Sequence, residues 1–293
     1  HLAWNPEFLR EGTALEDSLK PDRIVVGTWS QHSVDVLRQV YASIIATGTP
    51  FLELDVPTAE LVKVAANAFL ATKISFINAM AEIAEASGAD AVRLAEAIGM
   101  DARIGSLFLR NGIGFGGGCL PKDIRAFMAR AEELGAKQAL EFLREIDAIN
   151  IRARQRVIDV VRGELSEDLT QYKIAVLGAT FKPDSDDVRD SPALDIAAQL
   201  QAAGAIVVVH DPQGIEPARK RFPNLQYQEV VTDALKDADL ILHLTEWKEY
   251  RKIDPAAIAS LVKSKIIIDG RNMLDRTMWR NAGWKFHALG RTD

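Results

Sequence analysis

Lys173-Ile174-Ala175-Val176-Leu177-Gly178-Ala179 is a short apolar run that ends in glycine. Such a run, rich in branched side chains and closed by a turn residue, predicts a strand buried on both faces. The pattern recurs at Ala205–Pro212, Asp239–Thr245 and Lys265–Arg271. After the first strand, Asp190 or Ser191 can cap a helix with Pro192 in its first turn, running to Gly204. Parallel strands with intervening helices make an open α/β sheet, whose ligands bind at the carboxyl ends of the strands. Those ends read Thr180-Phe181-Lys182-Pro183, His210-Asp211, Thr245-Glu246 and Asp269-Gly270-Arg271-Asn272. Lys182 and Arg271 are placed to meet a phosphate and Phe181 to stack on a ring, against the plainer reading of surface cations. No G-x-G-x-x-G follows a first strand, and the Val176–Lys182 turn is at best a degenerate relative. The sheet therefore suits a substrate nucleotide better than a dinucleotide.

Upstream of this sheet the chain reads as helical. Pro57–Ser87 is the longest helical signal, a rod on the order of 45 Å. Its many alanines and aromatics call for burial on several sides, as a domain connector and a dimer seam. Lys63, Asn67 and Asn78 fall on one polar stripe of it, which on a buried helix needs partners or a ligand and otherwise is an exposed face. Further helices are expected over Ala89–Ile98, Pro121–Leu134 and Lys137–Arg162. The last carries Arg144, Glu145, Arg152, Arg154 and Arg156, ordinarily a solvated face. Arg103 and Arg110 lie in a loop region. At the other end, Arg23–Thr28, Ser33–Thr47 and Phe51–Asp55 read as strand, helix, strand, the tail of an α/β sheet. On a helical turn Glu7 and Glu11 would share a face.

Between the helices lies Gly112-Ile113-Gly114-Phe115-Gly116-Gly117-Gly118-Cys119-Leu120-Pro121-Lys122-Asp123, holding five glycines and the chain's one cysteine. Glycine lets a ligand approach the main chain, and Pro121 suits a first helical turn. Cys119 is thus expected on a glycine turn at a helix N-terminus, where unpaired N–H groups favour a thiolate. Asp123 follows one turn up on the same face. The plainer reading, a small buried thiol in a loop, is outweighed by the glycine run, the proline and the Asp together.

Composition narrows the partners. A hydrophobic fraction of 48% over 293 residues supports two domains, or one with an appendage. A net charge of −6 argues against nucleic acid or an anionic membrane as the main partner. One cysteine excludes an internal disulfide and suits a reducing compartment such as the cytoplasm. No uninterrupted apolar run of membrane-span length is expected, the first residues do not read as a signal peptide, and no metal is expected.

Read together, these blocks resemble the UDP-glucose/GDP-mannose dehydrogenase family over essentially the whole chain. The resemblance is carried by Asn5-Pro6-Glu7-Phe8-Leu9-Arg10-Glu11-Gly12, Lys63-Val64-Ala65-Ala66-Asn67-Ala68-Phe69, Gly114–Asp123, Phe181-Lys182-Pro183-Asp184 with Asp187–Pro192, and Asp269-Gly270-Arg271. It implies an α/β protein in three parts: the C-terminal remnant of an NAD-binding Rossmann domain at 1–56, a central long-helix dimerisation domain at 57–165, and a Rossmann-like nucleotide-sugar domain at 170–293. It also implies that most of the first domain is missing and that the chain alone is inactive.

The chemistry so implied is oxidation of a sugar C6 alcohol to a carboxylate with two NAD⁺. The expected substrate is UDP-glucose and the product UDP-glucuronate; GDP-mannose or another nucleotide sugar is the alternative within the family. By the resemblance, Cys119 holds the aldehyde and then the acyl group. Lys63 and Asn67 stabilise oxygen charge, and Asp123 and Glu7 handle protons and water. Phe8, Leu9, Phe115, Gly116, Phe181, Lys182 and Arg271 match substrate contacts, and Arg103 an arginine that reaches in from the other subunit of a homodimer. Glu11 and Arg189 match cofactor positions. The sequence departs from the family at Gly118, usually serine, and at Leu120, often aromatic; both bear on substrate preference. A non-catalytic nucleotide-sugar-binding dimer is the reading from another class. A cysteine hydrolase is weaker, because no histidine lies beside the glycine stretch.

Overall fold

The computed structural model describes residues 1–292. The chain divides into two compact units, His1–Phe69 and a second beginning at Leu70.

In the first unit β1 (Ala3–Trp4) runs antiparallel to β2 (Ile24–Thr28), and β2 runs parallel to β3 (Phe51–Leu54). Ile24, Val25 and Val26 are buried, as the apolar run requires. Two short helices, α1 (Ala14–Leu19) and α3 (Ala42–Ile45), flank α2 (Gln31–Val40). Asn5 tethers the entry segment: its Nδ2 donates to the Val25 carbonyl at 2.8 Å and its Oδ1 accepts from the Tyr41 hydroxyl. Glu7 and Glu11 do not share a helical turn. Residues 5–10 are irregular and a turn occupies 11–13. A carboxylate of Glu7 instead takes the Leu9 N–H at 2.7 Å, a local bond that competes with helix.

Helix α4 (Val56–Ser87) starts in this unit and continues into the second. The Asp55 carboxylate caps it, accepting from the Thr58 N–H and hydroxyl at 2.8 Å each. It ends before Gly88, which has φ +78°. By length and composition α4 is long and apolar enough to cross a membrane, although Lys63, Lys73 and Glu82 interrupt its apolar run. About a third of its apolar stretch is buried, and polar side chains there are tied to neighbouring segments. The buried Ser75 hydroxyl donates to the Ile146 carbonyl at 2.8 Å, and buried Asn78 accepts from Gly112 N–H.

In the second unit come α5 (Ala91–Gly99), α6 (Leu120–Glu133) and α7 (Phe142–Glu164), then β4 (Lys173–Leu177), α8 (Pro192–Ala202), β5 (Ile206–His210), α9 (Ile215–Arg221), β6 (Gln226–Tyr227), α10 (Val231–Leu235), β7 (Leu240–His243), β8 (Ile266–Asp269), α11 (Arg276–Asn281) and β9 (Lys285–Ala288). The sheet order is β6-β5-β4-β7-β8-β9 and every pairing is parallel. The order reverses direction at β4 and β7, the doubly wound arrangement in which ligands meet the strands' carboxyl ends. Alternate residues of β4 serve opposite faces: Ile174 and Val176 join Val157, Val161 and Leu194, while Ala175 and Leu177 join Trp247, Trp279 and Phe286. The four strands read from the sequence are present. Short β6 and edge strand β9, with its exposed Lys285, lacked the apolar runs that marked the others.

The α7 face expected to be wholly solvated is not. Its buried set is Leu143, Ile146, Asn150, Ala153, Arg154, Val157, Ile158 and Val161, a stripe at helical spacing that includes an amide and an arginine.

Candidate active site

Cys119 is the N-cap residue of α6 and exposed, with Pro121 in the first turn. Its carbonyl accepts the Asp123 N–H at 2.9 Å, placing Asp123 one turn up the helix. The glycine run before it is buried as far as Gly117, with Gly118 half-buried, and each glycine meets something a side chain would displace. A Cβ on Gly116 would lie 2.2 Å from the Asp190 carbonyl. One on Gly117, where φ is +85°, would lie 2.8 Å from the Phe181 ring. The residue that departs from the family, Gly118, has the Arg189 guanidinium where its Cβ would stand, 2.4 Å away.

The run is pinned from several elements. Gly112 N–H donates to Asn78 Oδ1 on α4, and Ile113 N–H to the Gly270 carbonyl after β8. Gly117 N–H donates to the Arg189 carbonyl at 2.9 Å. Arg271 donates to three carbonyls: Leu244 at 2.8 Å, Gly114 at 3.1 Å and Phe181 at 3.2 Å. It also faces Glu246 at 3.3 Å. The glycine loop that leads to Cys119 is thereby tied to the Phe181, Arg189 and Arg271 segments. The Lys182 ammonium sits 5.5 Å from the Phe181 ring centre.

Asp269 holds the Arg271 loop. One carboxylate oxygen takes His243 Nδ1 at 2.7 Å and the Arg271 N–H at 3.0 Å; the other takes the N–H groups of Met273 and Leu274. Burial pushes this carboxyl up, but the His243 charge and hydrogen bond and the backbone donors prevail, and it lies below the usual carboxylate range.

After β4, the turn that in a dinucleotide fold would face a pyrophosphate is already filled. The Ala179 and Thr180 N–H groups, the Thr180 hydroxyl and Trp247 Nε1 all donate to Asp211 Oδ2, and Gln213 and Gly214 N–H to Oδ1. A protein carboxylate takes the donors an anion would use, consistent with the missing glycine fingerprint.

The remaining site residues belong to the first unit or stand apart. Lys63 Nζ donates to the Glu7 carbonyl at 2.6 Å and to Glu7 Oε1 at 3.1 Å. Phe8 lies under the Arg23 guanidinium at 4.1 Å and near Lys63 Nζ at 5.5 Å. Leu9 is exposed and Glu11 and Asn67 are half-buried. Arg103 is exposed and paired to Asp101 of its own turn at 2.7 Å. At the carboxyl ends of β2 and β3 an open cleft of about 470 Å³ is lined by Thr28, Trp29, Ser30, Gln31, Glu53 and Asp55 among others.

Reading the sequence missed Asn150, placed Arg154 on a solvated face, and marked Asp211 only as a strand-end position. Asn150 and Arg154 carried a signal: with Ala153 and Val157 they share one apolar helical stripe.

An apolar parallel sheet with a cysteine-bearing glycine loop at its strand ends describes a nucleotide-sugar dehydrogenase fold, and comparison with known proteins agrees. Residues 1–45, 57–152 and 175–276 match the NAD-binding, central and UDP-binding domains of the UDP-glucose/GDP-mannose dehydrogenase family. The chain is 42% identical to the UDP-glucose 6-dehydrogenases of Rickettsia felis and Rickettsia prowazekii over 99% of its length, spanning 65% and 67% of theirs. It superposes on a UDP-glucose dehydrogenase from Pyrobaculum islandicum with a TM-score of 0.88 at 36% identity, covering 99% of this chain and 63% of that one. The chain belongs to the UDP-glucose/GDP-mannose dehydrogenase family and spans about two thirds of the length of these relatives.

Proposed function

We propose that this chain supplies the reactive cysteine and the sugar-nucleotide site of an NAD-dependent UDP-glucose 6-dehydrogenase, which oxidises UDP-glucose to UDP-glucuronate. The observation that carries the reading is the network joining the Cys119 loop to Phe181 and Arg271 at the strand ends. It ties a nucleophile to residues suited to a nucleotide diphosphate.

NAD⁺, when bound, accepts a hydride from C6 in each of two oxidations. The first leaves an aldehyde. Cys119 Sγ bonds to its carbon, giving a thiohemiacetal with the added proton on oxygen. Loss of the second hydride and that proton leaves a thioester. Water adds, the C–S bond breaks, and the carboxylate and thiol are released. Lys63 and Asn67 stabilise the charge on the C6 oxygen. Asp123 and Glu7 take and return protons. Glu11 and Arg189 contact the cofactor, and Arg103 reaches the substrate of a second copy.

The residues present fit part of the dinucleotide. The cleft beyond β2 and β3 offers hydroxyls and the exposed Trp29 ring, but the Thr28–Gln31 turn has no glycine to admit a pyrophosphate. Turnover by these 293 residues alone is therefore not expected. The proposal includes a homodimer seam along α4 and a cytoplasmic setting, which suits a chain whose single cysteine leaves it no internal disulfide.

Isothermal titration with UDP-glucose and with GDP-mannose tests the reading. Selective uptake of UDP-glucose is expected. Binding of neither would overturn the strand-end assignment, and selective GDP-mannose binding would transfer the mechanism to that substrate.

A further inference from the structure

Three successive glycines, Gly116 to Gly118, precede Cys119, and glycine has little conformational preference of its own. The position of the thiol must therefore be fixed from outside the run. Beside the Gly117 N–H bond to the Arg189 carbonyl, one amide fixes the start of the run at the Phe115 peptide. Asn150 Oδ1 accepts the Phe115 N–H at 2.7 Å while its Nδ2 donates to the Phe115 carbonyl at 3.0 Å. A side chain thus grips both polar groups of one residue, as a neighbouring strand would. Asn150 is 1% exposed, so no water competes for those bonds. Gly114 is left no alternative: its φ is +87°, and a Cβ there would lie 2.3 Å from Asn150 Oδ1.

The grip is backed by Arg154, one turn on and 4% exposed. Its Nη2 donates to the same Phe115 carbonyl at 3.3 Å, and its guanidinium faces Asp195 at 3.0 Å and Asp190 at 3.6 Å. From that clip the glycines run to α6, which is anchored by buried Pro121 and Ile124. Cys119 is strung between the two.

We propose that Asn150 is a positioning residue for Cys119: its two-point grip on Phe115 sets where the thiol stands at the mouth of the loop. The inference rests on the nucleophile reading of Cys119.

The chain's single cysteine makes the test clean, since iodoacetamide alkylation reports that thiol alone. The rate is followed against pH, with and without UDP-glucose, in the unsubstituted chain, Asn150→Ala and Asn150→Asp. The aspartate variant is isosteric and keeps the acceptor for Phe115 N–H but loses the donor, so it serves if the alanine variant does not fold. Substitution is expected to change the rate by about threefold or more, with a shifted pH profile, in protein that still melts cooperatively. UDP-glucose protection of the thiol is expected to weaken more than binding measured by calorimetry. Profiles that superimpose on the unsubstituted chain's would overturn the inference. The nucleophile reading is judged separately, in the unsubstituted chain: a rate no faster than a free thiol's would sink it.

Discussion

The Arg271 guanidinium donates through Nη1 to the Gly114 carbonyl at 3.1 Å, joining residues 157 positions apart. Through Nε and Nη2 it also holds the Leu244 and Phe181 carbonyls. A planar fork reaches three divergent acceptors at once, and an ammonium does not. Arg271→Lys is therefore expected to weaken UDP-glucose binding by about tenfold or more and to lower the melting temperature, each lost charged hydrogen bond being worth about 1.5–3 kcal/mol. Calorimetry on the two proteins checks it; equal affinities would reduce Arg271 to a point charge.

Gly117 and Gly118 are adjacent but should respond differently. Gly117 has φ +85°, and an added methyl would meet the Phe181 ring at 2.8 Å. Gly117→Ala should cost about 1–2 kcal/mol in backbone strain alone and displace the ring, weakening nucleotide binding. Gly118 is not in the left-handed region, and its near neighbour is the end of the flexible, exposed Arg189 side chain. Gly118→Ser should change stability by less than about 0.5 kcal/mol while moving that guanidinium. Thermal melts with UDP titration of both variants decide between these outcomes.

The sheet was legible because its buried strands are short apolar runs, two of them closed by glycine, as in Lys173–Gly178. Cys119 at the head of α6 was legible from Pro121 and the glycines, which constrain backbone locally. The irregular Glu7–Leu9 segment was not, since the carboxylate-to-backbone bond that replaces a helical turn leaves no periodic mark. Asn150 and Arg154 were hidden for a different reason. Polar residue type suggests solvent, while their burial depends on carbonyls supplied by Phe115, 35 and 39 residues away. Asp211 gives the same lesson: only the fold shows that its carboxylate fills a turn that an external anion would otherwise occupy.

Along α4, Phe69, Phe76 and Ile83 recur every seven residues and all are exposed, at 65%, 46% and 58%. A seven-residue apolar repeat on a helix is the pattern of a helix–helix seam. A stable dimer buries about 1,200–2,000 Å² in all, which a helix about 48 Å long can help supply. Phe76→Glu with Ile83→Glu is expected to convert a dimer to a monomer in sedimentation velocity, with the fold retained because neither side chain is in the core. A double variant that sediments with the parent chain would rule out this seam.

The Asp269–His243 pair gives stability a defined acid dependence. Both side chains are fully buried, and the Asp269 carboxyl is held below its usual range. A carboxyl lowered on folding stabilises the native state above its unfolded value, about 3.9. That contribution fades as pH falls through the folded value. Asp269→Asn removes the charge and turns an amide donor towards the Met273 and Leu274 N–H groups, or else towards His243 and Arg271. The variant should be less stable by about 3–5 kcal/mol near neutral pH. In urea melts the gap between parent and variant should narrow as pH falls below about 4, where the parent's carboxylate takes up its proton. A gap that did not narrow there would mean that the pair does not hold Asp269 ionised. Because Asp269 also shapes the Arg271 loop, weaker UDP-glucose binding by the folded variant at pH 7 should accompany the loss of stability.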